Sequence, residues 1–119
     1  MICILGKINN IMGKFEKYNG SNGDFRFRLK AGNGENILAS EGYTTAAARD
    51  NGVESVKKNS SEEKRYELKE TAAGKYHFNL KATNGQVIGS SQSYASESSA
   101  KAGIQSVMKN APDADVVEV

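Results

Sequence analysis

The fold is decided by the stretch Leu29-Lys30-Ala31-Gly32-Asn33-Gly34-Glu35-Asn36-Ile37, which returns 51 residues later as Leu80-Lys81-Ala82-Thr83-Asn84-Gly85-Gln86-Val87-Ile88. The match extends outward without a gap, and 15 of the 37 positions in residues 23–59 are identical to their counterparts in residues 74–110. Self-similarity at a fixed spacing is the signature of a repeated structural unit. The chain therefore contains two copies of one unit, repeat 1 (residues 13–63) and repeat 2 (residues 64–119).

Each repeat predicts strands followed by a helix. Apolar and polar residues alternate strictly through residues 25–30 and again through residues 76–81, which is the period of a strand with one buried face. The alternation predicts that one core is lined by Phe25, Phe27, Leu29, Tyr76, Phe78 and Leu80.

Turn residues separate these strands from their neighbours. Asn33-Gly34 and Asn84-Gly85 predict hairpin turns of type I′, in which both central residues have positive φ. Return strands are expected at residues 37–40 and 87–91, and an earlier strand precedes each hairpin, at residues 14–18 and 65–69. Residues 117–119 are the counterparts of residues 66–68 and predict a further strand at the end of the chain.

The helices are predicted from their caps and their apolar stripes. Thr44 or Thr45, and Ser96, are candidate N-caps. Gly52 and Gly103 occupy the same position on the buried stripe of the two helices, where each glycine costs about 1 kcal/mol of helix propensity. A close approach of helix to sheet would justify that cost. The fold class is therefore α+β, with both repeats in one shared, mainly antiparallel sheet and two helices packed on one face.

Composition places the chain among ordinary globular proteins and excludes several kinds of site. Residues 12–119 have the length of a single domain, and the net charge of the chain is only +2. One cysteine, Cys3, excludes an intramolecular disulfide and a cysteine-based metal cage, which suits the reducing cytoplasm. We therefore expect a cytoplasmic protein, and a monomer because the two repeats can satisfy each other.

Residues 1–11 stand outside the repeats. The apolar run at residues 1–5 is too short for a membrane span and has no charged segment before it. We interpret residues 1–11 as a disordered leader, or as the product of an upstream start codon with Met12 as the natural start; a membrane anchor is the alternative. No membrane association is expected from the rest of the chain.

No constellation for catalysis or for a metal or cofactor is visible, so we expect a protein that is not an enzyme. His77 is the only histidine, and one imidazole without cysteine partners does not make a metal site. The serines between residues 90 and 99 lack a partner base and a nucleophile elbow.

One surface carries a functional hypothesis. The alternation places a set of polar side chains on the sheet face opposite the core: Arg26, Arg28, Lys30, His77 and Lys81. We define these five residues as the candidate binding face. Alternating charges often serve only to keep an open face hydrated. The first hypothesis is a non-enzymatic interaction or structural module that binds a protein partner through the open sheet face or a sheet edge; the alternative is a weak nucleic-acid-binding module, in which Tyr18 would stack on bases.

The repeated phrases also resemble a known family. Residues 25–31, Asn33-Gly34, Ser40-Glu41-Gly42-Tyr43 and residues 51–59 resemble the YegP-like family of small bacterial proteins. The likeness covers residues 13–119. It implies tandem β3-α-β repeats in one sheet, with C-terminal strands swapped between the repeats, and a bacterial origin. It implies no function, because the family is a domain of unknown function without assigned site residues.

Overall fold

The computed structural model describes residues 13–119, which form one seven-stranded sheet and two helices. The elements in chain order are β1 (Lys14–Asn19), β2 (Phe25–Lys30), β3 (Asn36–Ala39), α1 (Ala46–Asn59), β4 (Tyr66–Glu70), β5 (Tyr76–Lys81), β6 (Val87–Ser90), α2 (Glu97–Asn110) and β7 (Asp115–Glu118). A short 3-10 helix, Glu63–Arg65, precedes β4. The prediction for residues 1–11 lies outside the described residues.

The strand order is β4-β5-β6-β3-β2-β1-β7. The two repeats join in the centre of the sheet, where β3 pairs with β6, and every neighbouring pair is antiparallel except β1 with β7. β7 follows α2 in repeat 2, yet it pairs in parallel with β1 of repeat 1. The predicted α+β fold with a shared, mainly antiparallel sheet is confirmed, and the C-terminal strand of repeat 2 crosses to repeat 1.

The hairpin loops differ from the predicted type I′ turns. In the loop after β2, Gly34 N–H donates to the Ala31 carbonyl and Ala31 N–H donates to the Glu35 carbonyl, both at 2.9 Å. A type I′ turn needs positive φ at both of its central residues, Asn33 and Gly34. Gly34 has φ of 87°, but no non-glycine residue among those described has positive φ, so the type I′ prediction is wrong. The loop is a three-residue connection whose last residue is a left-handed glycine. Asn33 contributes through its side chain, because its Oδ1 accepts from Glu35 N–H at 3.0 Å.

Both helices lie against the sheet as the two glycines predict. Thr45 caps α1 and Ser96 caps α2, each accepting from a backbone N–H three residues on, at 3.0 and 3.1 Å. A Cβ built on Gly52 would lie 3.0 Å from Cε2 of Phe27, which is tighter than an ordinary carbon–carbon contact. The hydroxyl of Tyr43 would be closer still, at 2.6 Å, so the absence of a side chain on Gly52 fits the short distance between the helix and these two rings.

The core lies between the helices and the sheet face that carries the alternating apolar residues. Phe27, Leu29, Phe78 and Leu80 are fully buried. Phe25 and Tyr76, which the alternation also predicts in the core, are only half-buried, because they begin their strands. The rings of Tyr43 and Tyr94 stack on Phe27 and Phe78, with centroids 6.3 Å apart in both pairs, and they fix the start of each helix against the sheet.

Candidate functional site

The candidate binding face lies on the side of the sheet opposite the helices, as the alternation predicts, but it is divided. Arg26, Arg28 and Lys30 lie on β2, whereas His77 and Lys81 lie on β5. β6 and β3 stand between these strands. Three strand spacings separate the two groups by about 14 Å. The structure thus forms two basic clusters instead of one continuous row.

The cluster in repeat 1 is built around a buried carboxylate, Glu16, which is 5% exposed. Arg28 Nε donates to Glu16 Oε1 at 2.7 Å, Lys30 Nζ lies 3.5 Å from the same oxygen, and Lys14 Nζ lies 3.7 Å from Oε2. The Arg28 hydrogen bond, more than the charges of the two lysines, holds the pKa of Glu16 below its usual value, although burial opposes this. The sequence did not indicate this carboxylate, because Glu16 reaches Arg28 only through the register of β1 on β2.

The aromatic ring expected to stack on bases is already covered. The Arg28 guanidinium lies 4.5 Å from the centroid of the Tyr18 ring. This contact is a cation–π interaction, and it places the guanidinium over one face of the ring. A base would have to displace Arg28 to use that face.

The other basic residues of the face also have carboxylate partners. Arg26 donates twice to Asp24, with both distances 3.0 Å, and this hydrogen bonding holds the pKa of Asp24 below its usual value. Lys81 Nζ lies 3.3 Å from Glu67 Oε1, which lowers the pKa of Glu67. His77 pairs in register with Lys69 of β4. Each of the four Arg and Lys candidates is therefore paired with an acid.

These clusters still contain more bases than acids. Their six basic side chains are Lys14, Arg26, Arg28, Lys30, Lys69 and Lys81, and their three carboxylates are Glu16, Asp24 and Glu67. The excess of positive charge is modest, and each of the six basic side chains forms an ion pair with one of the three carboxylates. Such pairs screen the field that an approaching polyanion meets.

A second surface, whose position the sequence did not indicate, lies at the β4 end of the sheet. A groove of about 550 Å³ runs between β4 and α2 and is lined by Tyr66, Leu68, Ile104, four neighbouring residues of α2 and Glu63 of the short helix before β4. β4 pairs with β5 on one side, and no described residue pairs with its other side. Locating this surface required the strand order, which no local pattern encodes.

Residues 13–119 contain no group of three His, Cys, Asp or Glu side chains arranged to hold a metal ion. Within the same part of the chain, no helix has both the length and the apolar character needed to cross a membrane.

Comparison with known proteins assigns the chain to a family. A family model described as a domain of unknown function, DUF1508, matches residues 21–67 and residues 72–118. The chain belongs to this family. The two matched segments are offset by 51 residues, as the two repeats are, and the resemblance to YegP-like proteins is confirmed.

Members of the DUF1508 family that resemble the chain are bacterial proteins without a described activity. A UPF0339 protein from the ptx operon 5′ region of Stutzerimonas stutzeri is 62% identical over 107 residues, covering 90% of this chain and 96% of that protein. The UPF0339 protein YegP of Escherichia coli K12 is 53% identical over 98 residues, covering 82% of this chain and 89% of YegP.

Two solved structures share the fold over nearly their full lengths. The solution NMR structure of yegP from E. coli, a protein of unknown function, has a TM-score of 0.86 and 49% identity, and covers 91% of this chain and 93% of its own. The solution NMR structure of the UPF0339 protein SO3888 from Shewanella oneidensis has a TM-score of 0.84 and 46% identity, and covers 89% and 90%.

Proposed function

We propose that this protein is a non-enzymatic interaction module that binds another protein through its sheet. The supporting observation is the outer edge of β4, with which no described residue pairs. An edge strand presents a row of backbone N–H and C=O groups that can pair with a strand of another chain. The cytoplasm, inferred from cysteine usage, remains the proposed location.

The pairing of the basic residues favours a protein over a nucleic acid as partner. Arg28 and Lys30 share Glu16, and Arg26 holds Asp24. A phosphate would have to compete with these carboxylates for the basic side chains. Replacement of a carboxylate by a phosphate in an ion pair gains little free energy at a solvated surface. Backbone pairing at a strand edge has no such competitor.

Site-specific photo-crosslinking in bacterial cells tests this proposal. A photoreactive residue is placed at Glu70 on the β4 edge, at Lys14 on the open sheet face, or at Lys58 on the exposed side of α1 as control. We expect a defined protein to be cross-linked from Glu70 or Lys14 and not from Lys58. If neither of the two sheet positions cross-links a protein above the control, the proposal is wrong.

The excess of basic residues over carboxylates on the open face favours one alternative, weak binding of single-stranded nucleic acid. For that function, Arg26→Gln with Arg28→Gln should weaken binding, and Glu16→Gln should strengthen it because one negative charge is lost. Each lost phosphate contact should also reduce the slope of log K against log[salt] by about 0.7. Backbone amide shifts measured with a short single strand at low and physiological salt separate the alternatives, since unchanged shifts at both salts exclude this function.

A further inference from the structure

We infer that the β4 edge and the groove beside α2 bind an extended segment of another polypeptide, parallel to β4, as β7 lies on β1. The inference rests on the proposed function and specifies the kind of partner. The term strand site is used below for the backbone edge of β4 together with the groove lined by Tyr66, Leu68 and Ile104.

β7 shows how repeat 1 fills the equivalent site. Its register on β1 pairs Lys14 with Asp115, Phe15 with Val116 and Lys17 with Glu118. Val119 N–H donates to the Lys17 carbonyl at 3.0 Å. The N–H and C=O of one strand residue point to the same edge, so the hydrogen bond from Val119 shows that the backbone groups of Lys17 point to β7. Phe15, two residues before Lys17, points its backbone groups to the same edge.

The repeat relationship transfers this geometry to β4. Phe15 pairs with Leu29 in repeat 1, and Tyr66 pairs with Leu80 in repeat 2, which is the same register 51 residues on. Leu68 is therefore the counterpart of Lys17. Its backbone N–H and C=O point away from β5, to the edge that no described residue covers.

The groove beside this edge lies in the position equivalent to the groove between β1 and α1, and it has no strand like β7 among its lining residues. In repeat 1 the equivalent groove between β1 and α1 measures about 300 Å³, and Val116 of β7 forms part of its lining together with Val53. In repeat 2 the groove measures about 550 Å³, and Ile104 replaces Val53. The larger volume leaves room for an apolar side chain in the place of Val116.

The lining of the strand site also differs in charge from that of repeat 1. Lys17 and Asp50 form an ion pair of 3.5 Å across the groove of repeat 1. Their counterparts in repeat 2 are Leu68 and Lys101, so the floor becomes apolar, while the rim carries both Glu63 and Lys101, the latter paired with Glu97 at 3.3 Å. An occupant with a β-branched apolar residue facing the groove fits this lining best.

A basic residue also stands at the start of the strand site. Lys14, which faces Asp115 in repeat 1, corresponds to Arg65. Arg65 Nε is buried and donates no hydrogen bond to a described residue; it lies 3.4 Å from Glu62 Oε1 without hydrogen-bond alignment. The sequence of β7, Asp-Val-Val-Glu, has the pattern expected of the occupant.

A peptide with the sequence of residues 113–119 is the direct probe. It is titrated at millimolar concentration into the full-length, ¹⁵N-labelled chain, with a nitroxide label at the peptide N-terminus. We expect saturable amide shifts at Tyr66, Leu68 and Ile104. Line broadening by the label should be strong at Arg65 and weak at Glu70, because a parallel strand begins beside Arg65.

Two variants identify the site. Leu68→Lys replaces the groove residue by the residue present in repeat 1 and should weaken peptide binding by about tenfold or more, since an apolar contact is lost beside Lys101. Lys69→Ala changes the neighbouring side chain on the opposite face of the sheet and should leave binding unchanged.

Several outcomes would overturn the inference. Absence of saturable shifts at millimolar peptide would refute it, as would shifts confined to β1 and β7, which indicate exchange with the chain's own strand. Strong broadening at Glu70 would refute the parallel direction. A dimer in sedimentation that Leu68→Lys dissociates would make a second copy the occupant, and binding seen only after removal of residues 1–11 would make that segment the occupant. Any of these results would refute the strand site alone. The proposed function, binding of a protein through the sheet, would still stand if a photoreactive residue at Lys14 cross-links a protein in cells.

Discussion

Substitution of Gly103 by alanine tests whether the helix–sheet distance explains the repeated glycine. A Cβ on Gly103 would meet the Tyr94 hydroxyl and would lie 2.8 Å from Tyr94 Cζ and 3.1 Å from Phe78 Cε2. Carbon atoms attract best at about 3.5–4.0 Å, so all three contacts are repulsive. The Tyr94 ring cannot move away freely because it stacks on Phe78.

The magnitude follows from two opposing effects. Alanine gains about 1 kcal/mol of helix propensity over glycine, whereas overpacking of a filled core costs about 1–3 kcal/mol. Since two rings must shift together, we expect the upper part of that range and a net loss of about 2 kcal/mol. For a domain of this size the melting temperature should fall by roughly 8 °C.

Urea unfolding followed by circular dichroism measures this change, and a double-mutant cycle assigns it. Tyr94→Phe removes the hydroxyl that the new methyl group meets, so Gly103→Ala should cost about 1 kcal/mol less in that background. Gly52→Ala in repeat 1 should behave like Gly103→Ala, and the exposed substitution Gln105→Ala should change stability by less than about 0.5 kcal/mol. If Gly103→Ala instead stabilises the protein, close approach is not the reason for the glycine.

Three further predictions concern the carboxylate cluster, the buried phenol and the N-terminal segment. Glu16→Gln should lower the free energy of unfolding by about 1–2 kcal/mol at neutral pH, because it breaks a partly solvated ion pair with Arg28. The pKa of Glu16 is depressed on folding, so its contribution is lost as pH falls through the folded pKa, and urea unfolding in acid should no longer distinguish variant from wild type. Tyr66→Phe should cost about 1 kcal/mol at neutral pH, since the hydroxyl donates to the Ser60 carbonyl at 2.7 Å. Burial raises the pKa of Tyr66, so the wild type loses stability as pH rises above about 10, and unfolding midpoints at alkaline pH should converge for the two proteins. Removal of residues 1–11 should leave the melting temperature unchanged, and a lower value would show that the segment stabilises the fold.

Local patterns predicted the elements well because their causes are local. The alternation in residues 25–30 fixed both the strand and the side of the sheet on which Arg26 and Arg28 lie. Ser96 capped its helix as expected. The Asn33-Gly34 pair predicted the position of a hairpin but not its type, because a dipeptide does not determine the number of residues in the loop.

Features that depend on distant residues could not be predicted. The partner of β7 is β1, and the paired residues Lys14 and Asp115 lie at opposite ends of the described chain. The ion pair between Glu16 and Arg28 depends on the register of two strands. The sequence therefore predicted a basic face but not the carboxylate that neutralises part of its charge. The strand site was hidden for the same reason, since it follows from strand order.

The pairing of β1 with β7 also sets the order of events when the chain is synthesised. Among the described elements β1 comes first in the chain and β7 comes last, so the outer edge of β1 has no partner strand until residues 115–118 have been synthesised. Domains begin to fold from the N-terminus during synthesis, and uncovered strand edges promote association between chains. A nascent chain halted before Asp115 would therefore carry unpaired edges on both β1 and β4, and we expect it to associate with other chains more readily than a chain that includes β7.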